Sequence, residues 1–148
     1  LLYNVRLNNE NISEAAALKA LKDVGAGPLM ERLENGIHSE LAERGATLSL
    51  GERQLISFAR ALAFNPKVLV LDEATSNIDS ETEQLIQYAM NVVSKDRTTF
   101  IIAHRLSTIQ HADQIILLEN GEIKEHGKHE ELIALGQNYS KMYEMQMG

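Results

Sequence analysis

The chain has 148 residues, with 14 Lys and Arg against 21 Asp and Glu, a formal charge of −7 with histidines neutral. That length suits one domain with one core, and 44% apolar with 24% charged residues is ordinary globular usage, which excludes wholesale disorder and a fibrous repeat. A pI near 5.2 and the lack of any run of Lys or Arg argue against nonspecific binding to nucleic acid or anionic lipid, while phosphate ligands stay open through local geometry.

With no cysteine there is no disulfide framework, thiolate metal site or cysteine nucleophile, a usage that fits a reducing compartment. The longest apolar runs, Val68 to Leu71 and Ile115 to Leu118, are far below the roughly 18–20 residues of a membrane helix. The chain by itself therefore reads as soluble. Its opening, Leu1-Leu2-Tyr3-Asn4-Val5, has no initiator Met and no signal-peptide pattern, and reads as a cut inside a longer protein.

Ser13 is a fair N-cap for a helix to Val24, whose apolar positions Ala16, Ala17, Leu18, Ala20, Leu21 and Val24 recur at helical spacing until Gly25 and Gly27 stop it. Pro28 suits the first position of a short helix to about Leu33, which Gly36 ends. After Gly45 a loop leads into a helix with Leu55, Phe58, Ala59 and Leu62 on one face, ended by Asn65-Pro66. Val68-Leu69-Val70-Leu71 has the pattern of a strand covered on both faces, and it runs into Asp72-Glu73. Ser80 with Glu83 gives a capping-box signature for a helix carrying Leu85, Ile86, Ala89, Met90 and Val93.

Thr98 to Ala103 reads as a second buried strand with His104 at its C-terminal end. Gln114 to Leu118 and Glu122 to His126 flank Asn120-Gly121, a two-residue hairpin signal, and helices follow over about His129 to Leu135 and Tyr139 to Met147. Strands alternating with helices imply an α/β sheet, with the front helices as an appended layer.

Buried strands seldom end in two adjacent carboxylates without a reason, and ligands of open α/β sheets gather at the carboxyl ends of strands. Asp72 there can hold hydrated Mg²⁺ on nucleotide phosphates while Glu73 orients or polarises an attacking water. The alternative is a solvated strand end. Ser49, ahead of a helix, offers a hydroxyl and backbone amides to a phosphate, although Ser-x-Gly before a helix is by itself a cap. Ser76-Asn77-Ile78-Asp79 is by itself a polar turn, and His104 could reach a terminal phosphate or serve the fold. His126, His129, Glu125, Glu130 and Glu131 lie on a hairpin exit and a polar helix start, and read as surface rather than as a metal site. The tyrosines and methionines from Tyr139 to Met147 read as the packing face of a terminal helix.

In this order the segments resemble the nucleotide-binding domain of an ABC transporter. Leu48 to Glu52 is similar to the signature written LSGGQ, Val68 to Glu73 to Walker B with its catalytic Glu, Ser76 to Asp79 to the D-loop, and Ile101 to Arg105 to the switch-histidine loop. Asp72-Glu73-Ala74-Thr75-Ser76 and Glu43-Arg44-Gly45 resemble the exporter branch. The resemblance implies an α/β, P-loop NTPase-like core, present in part, with a helical signature subdomain over about 1–64 and the second half of the core over about 65–148. None of the nine glycines begins the Gly-x4-Gly-Lys-Ser/Thr of a P-loop, so Walker A, the adenine-stacking aromatic and the Q-loop are expected upstream, along with a membrane domain.

By the same resemblance the complete protein is an ATPase at the cytoplasmic face of the cell membrane that powers export, with ATP and Mg²⁺ as ligands and no nucleic acid. It dimerises head to tail with a second ABC ATPase subunit. Asp72 supports Mg²⁺, Glu73 activates water, His104 contacts the γ-phosphate, Asp79 connects the two sites, and Ser49, Leu50, Gly51 and Glu52 face the partner's nucleotide. Two other readings are a soluble ABC-type ATPase acting on DNA or the ribosome, and a fragment without catalytic activity.

Leu50 and Glu52 depart from the usual Gly and Gln. Leu makes a positive φ costly, and Glu52 adds a charge that, at ~8 Å and an effective dielectric of ~20, costs roughly 2 kcal/mol against each phosphate charge. The resemblance implies that such departures beside an intact Glu73 and His104 belong to a heterodimer, in which the altered signature serves a partner's degenerate site; a homodimer would instead place Leu50 and Glu52 at both active sites.

Overall fold

The computed structural model describes residues 1–42, 45–72, 79–103 and 105–147. Its helices are α1 (Leu2–Arg6), α2 (Glu14–Asp23), α3 (Gly27–Arg32), α4 (Leu50–Phe64), α5 (Ser80–Ser94), α6 (His129–Leu135) and α7 (Asn138–Met147), and its strands are β1 (Val68–Asp72), β2 (Thr98–Ile102), β3 (Ile115–Glu119) and β4 (Glu122–Gly127). β1 pairs with β2, and β3 with β4. By contact the chain divides into two units, Leu1–Leu71 with Thr75–Phe100, and Asp72–Ala74 with Ile101–Gly148.

In the first unit α4 packs against α1, α2 and α5. Its buried face is Leu55, Ile56, Phe58 and Ala59, met by Ala17, Ala20 and Leu21 of α2 and by Ile86, Ala89, Met90 and Val93 of α5, so the front helices share their core with α5. The Ser13 hydroxyl accepts from the Ala16 N–H at 3.1 Å, which starts α2 where the sequence places it. Pro28 stands in the first turn of α3. Gly36, rather than ending that helix, opens a 3₁₀ turn over Gly36–His38 with φ 50°.

Asn65 closes α4 in the left-handed region with φ 46°. Arg97 then ties the ends of α4 and α5 together: its Nη2 donates to Asn65 Oδ1 at 2.7 Å, its Nε to the Pro66 carbonyl at 3.2 Å and its Nη1 to the Val93 carbonyl at 2.9 Å. This guanidinium satisfies C-terminal carbonyls that the helix itself leaves without donors.

Both strands expected to be covered on two faces are covered on one. Val68 and Val70 of β1 and Phe100 and Ile102 of β2 are more than half exposed, while the alternate residues Leu69, Leu71, Thr99 and Ile101 are partly buried. Successive strand residues point to opposite sides, so this alternation leaves one side of the β1–β2 ladder apolar and open. A continuous apolar run is the pattern for burial on both faces; the described residues supply only one of those covers.

The second unit holds the β3–β4 hairpin, turned by Asn120 (φ 51°) and Gly121 (φ 79°), with α6 packed on β4 and α7. Positive φ at both turn residues matches the right-handed twist of the paired strands. Leu106, Ile115, Leu132 and Tyr139 form its core. Tyr139 and Tyr143 pack there as expected, whereas Met142 and Met145 are exposed.

Candidate functional site

α4 begins with a closed set of hydrogen bonds around the signature residues. The Ser49 hydroxyl accepts from the Glu52 N–H at 3.1 Å, and Glu52 Oε2 accepts from the Ser49 N–H at 2.8 Å. This reciprocal pair is a capping box, which satisfies two backbone donors at the helix start. The Ser49 oxygen accepts in that pair, so its own O–H hydrogen is available to donate to an incoming oxygen.

The two departures in the signature look different once placed. Leu50 is the first residue of α4, on the ordinary side of φ, so the strain expected of it is not present. Glu52 carries its charge beside Arg32 of α3, whose Nη2 lies 2.7 Å from Glu52 Oε1. Partial desolvation pushes the Glu52 carboxyl upward, but the Ser49 N–H and the Arg32 guanidinium outweigh it and hold the group below its ordinary value. The bare charge expected at this position is therefore a paired one.

Gly51 is buried in the first turn of α4 against the first turn of α5. A Cβ built there would lie 2.3 Å from Thr82 Cγ2, so only glycine fits unless Thr82 moves. Thr82 is held in turn: its N–H donates to Asp79 Oδ1 at 2.9 Å and its hydroxyl to Asp79 Oδ2 at 2.7 Å. Asp79, not Ser80, is thus the N-cap of α5. Asp accepts at this position as well as Ser does, and its two oxygens take both Thr82 donors, which hold its carboxyl below the usual range. Through Thr82 the structure brings Gly51 and Asp79 together.

Asp72 is the exposed last residue of β1. Glu73, the rest of the segment to Ile78, His104 and the Glu43-Arg44 pair lie outside the described residues. In the second unit, the buried Glu125 accepts from the Asn138 N–H at 2.8 Å and from the Tyr139 N–H at 3.3 Å, while His129 Nδ1 meets the Tyr139 hydroxyl at 2.8 Å. Glu125 closes the start of α7, and His129 packs between Tyr139 and Tyr143. No helix among the described residues is long and apolar enough to cross a membrane.

Sequence reasoning missed Arg32 and Thr82. Arg32 stands 20 residues from Glu52, a separation at which no local pattern pairs them. The reach of Glu52 back to Ser49 was missed as well, although Ser49-x-x-Glu52 is the capping-box consensus that could have marked it.

Residues 2–76 match the family model described as ABC transporter. The chain is 59% identical over 98% of its length to the "Probable multidrug resistance ABC transporter ATP-binding/permease protein YheH" of Bacillus subtilis, covering 22% of that protein. It is 46% identical over 93% of its length to the "ATP-dependent lipid A-core flippase" of Pasteurella multocida, covering 24% of it. Among solved structures, one titled "Structure of a bacterial Atm1-family ABC exporter with ATP bound" superposes with a TM-score of 0.86 at 39% identity, over 99% of this chain and 26% of that one. The chain thus spans about a quarter of the length of the relatives it matches. It belongs to the ABC transporter family, as part of an ATP-binding domain of the exporter type.

Proposed function

We propose that this chain supplies the signature, the Walker B carboxylates and the switch histidine of an ATPase that drives export across a membrane from its cytoplasmic face. The observation that carries the reading is the built start of α4, where Ser49 is fixed as a cap yet keeps a hydroxyl hydrogen to donate. A helix start of this kind suits a phosphate, since the first-turn amides have no intrahelical acceptors and the dipole favours negative charge. Membership of the family and the ATP-bound exporter of the same fold support reading that phosphate as part of ATP.

In this reading residues of about 1–64 form the helical signature subdomain and about 65–148 the second half of the core. Ser49 donates to a phosphate of nucleotide held by a second ABC ATPase domain in a head-to-tail pair. Asp72, exposed at the end of β1, suits a hydrated Mg²⁺. When bound, that ion neutralises phosphate charge. Glu73 orients the attacking water and accepts its proton, and His104 donates to the terminal phosphate. Asp79 caps α5 and links the two sites of the pair. A transmembrane domain receives the resulting motion.

The test is steady-state ATP hydrolysis by the full-length protein that contains this chain. Glu73→Gln keeps the side chain's shape but removes the base, and should lower turnover by about 10²-fold or more while ATP still binds. Turnover at the wild-type rate would remove Glu73 from the reaction and overturn the reading.

A further inference from the structure

We infer that Arg32 is a positioning residue for the signature, holding the Glu52 carboxylate in a charge-balanced pair within the helix cap so that a triphosphate can approach the start of α4. The inference rests on the nucleotide reading above and deepens it. It begins from an apparent conflict: the third residue of a helix start that is to meet phosphates carries a carboxylate, where repulsion is largest.

The geometry resolves that conflict with two donors, one for each oxygen. Glu52 Oε2 accepts from the Ser49 N–H at 2.8 Å, and Oε1 faces Arg32 Nη2 at 2.7 Å. The carboxylate is thereby folded back onto its own helix and given a compensating cation. Arg32 is the last residue of α3, where the carbonyl end of a helix favours positive charge, and its planar fork suits a carboxylate better than a lysine would. The two side chains are 52% and 24% exposed, and a pair so open to water adds little to stability. What it changes is the local field. With Arg32 in place the Arg32–Glu52 pair is neutral; without it, a bare carboxylate stands within a turn of Ser49.

The sequence carries the same logic. Gln at this position would complete the same cap without a charge, because either Gln or Glu can reach back to the N-cap N–H. Glu52 therefore needs a partner that Gln would not, and Arg32 is that partner.

The experiment is a double-mutant cycle on the full-length protein, reading half-saturating MgATP and kcat for wild type, Arg32→Gln, Glu52→Gln and the double variant, at about 50 mM and 500 mM salt. Arg32→Gln should raise half-saturating MgATP about tenfold at low salt and about twofold at high salt, with kcat changed less, because exposed charges are screened over about a Debye length. In the Glu52→Gln background the same substitution should have no effect, and Arg32→Lys, which keeps the charge, should stay within about twofold of wild type. A pair that only stabilised the cap would lower the melting temperature of Arg32→Gln without raising half-saturating MgATP, whereas the inference expects the reverse. Equal effects in both backgrounds, or no change in half-saturation for Arg32→Gln, would overturn the inference alone. A wild-type protein that shows no saturable ATP hydrolysis would overturn the inference and the functional reading together.

Discussion

Several helix starts among the described residues are closed by a carboxylate, and two of them, those of α4 and α7, are closed in opposite ways. At α4 the group is Glu52, from the helix's own first turn, partly exposed and leaving the Ser49 hydroxyl hydrogen available. At α7 it is Glu125, from β4, buried and accepting directly from the first two N–H groups of the helix. The same electrostatics, a negative charge at the positive end of a helix, thus accompanies an open helix start in one unit and an internal fastening in the other. The difference is the direction of supply. A carboxylate arriving from another element occupies the place an external anion would take, whereas one reaching back from the third residue leaves it open.

The contrast can be broken most severely at the buried end. Glu125→Ala removes the acceptor of two N–H groups in a place water reaches poorly, and should destabilise the second unit by about 3 kcal/mol, read as a lower urea midpoint. A change under ~0.5 kcal/mol would mean that α7 does not depend on this fastening.

Next in size is Gly51→Ala, which forces a methyl against Thr82 Cγ2 and should cost about 2 kcal/mol. Thr82→Ser keeps the hydroxyl for Asp79 while deleting that methyl, so the double variant should recover most of the loss. Failure of Thr82→Ser to rescue would place the strain elsewhere.

Ser49→Ala removes the open cap and should cost about 1 kcal/mol of thermal stability, less than the loss at Glu125. An effect as large as that of Glu125→Ala would erase the distinction between the two helix starts.

The smallest effect is the pH dependence of Glu52. Its carboxyl sits below the ordinary value of 4.5 in the folded chain, so its contribution is fully present above that pH and is lost as pH falls through the lower folded value. The stability difference between wild type and Glu52→Gln should therefore shift toward Glu52→Gln below pH 4.5 and stay constant from pH 6 to 8. Movement in the neutral range would point to a different group.

Much of this architecture was written locally. Ser13, Pro28, Asn65 and Asn120-Gly121 each stand where the backbone turns, because caps and turns are satisfied by residues a few positions apart. What the local pattern misjudged was distant. Val68, Val70, Phe100 and Ile102 are apolar enough for a strand buried on both sides, yet among the described residues nothing covers their outer face. The N-cap of α5 passed to Asp79 because Thr82 offers it two donors, a choice that needs side-chain geometry rather than consensus. The signature itself was legible, but its charge balance was not, since Arg32 meets Glu52 by a contact 20 residues away in the chain that no local pattern marks.

The central claim is that the open helix start beginning at Ser49 contacts nucleotide. The most direct test is retention of MgATP by the full-length Glu73→Gln protein after rapid desalting, with and without Ser49→Ala, each variant first shown to melt as a folded protein. The account predicts at least ~10-fold weaker retention when the hydroxyl is removed, with Ser49→Thr restoring it, in line with the loss of a hydrogen bond to a charged group. Undiminished retention by the Ser49→Ala form would contradict it.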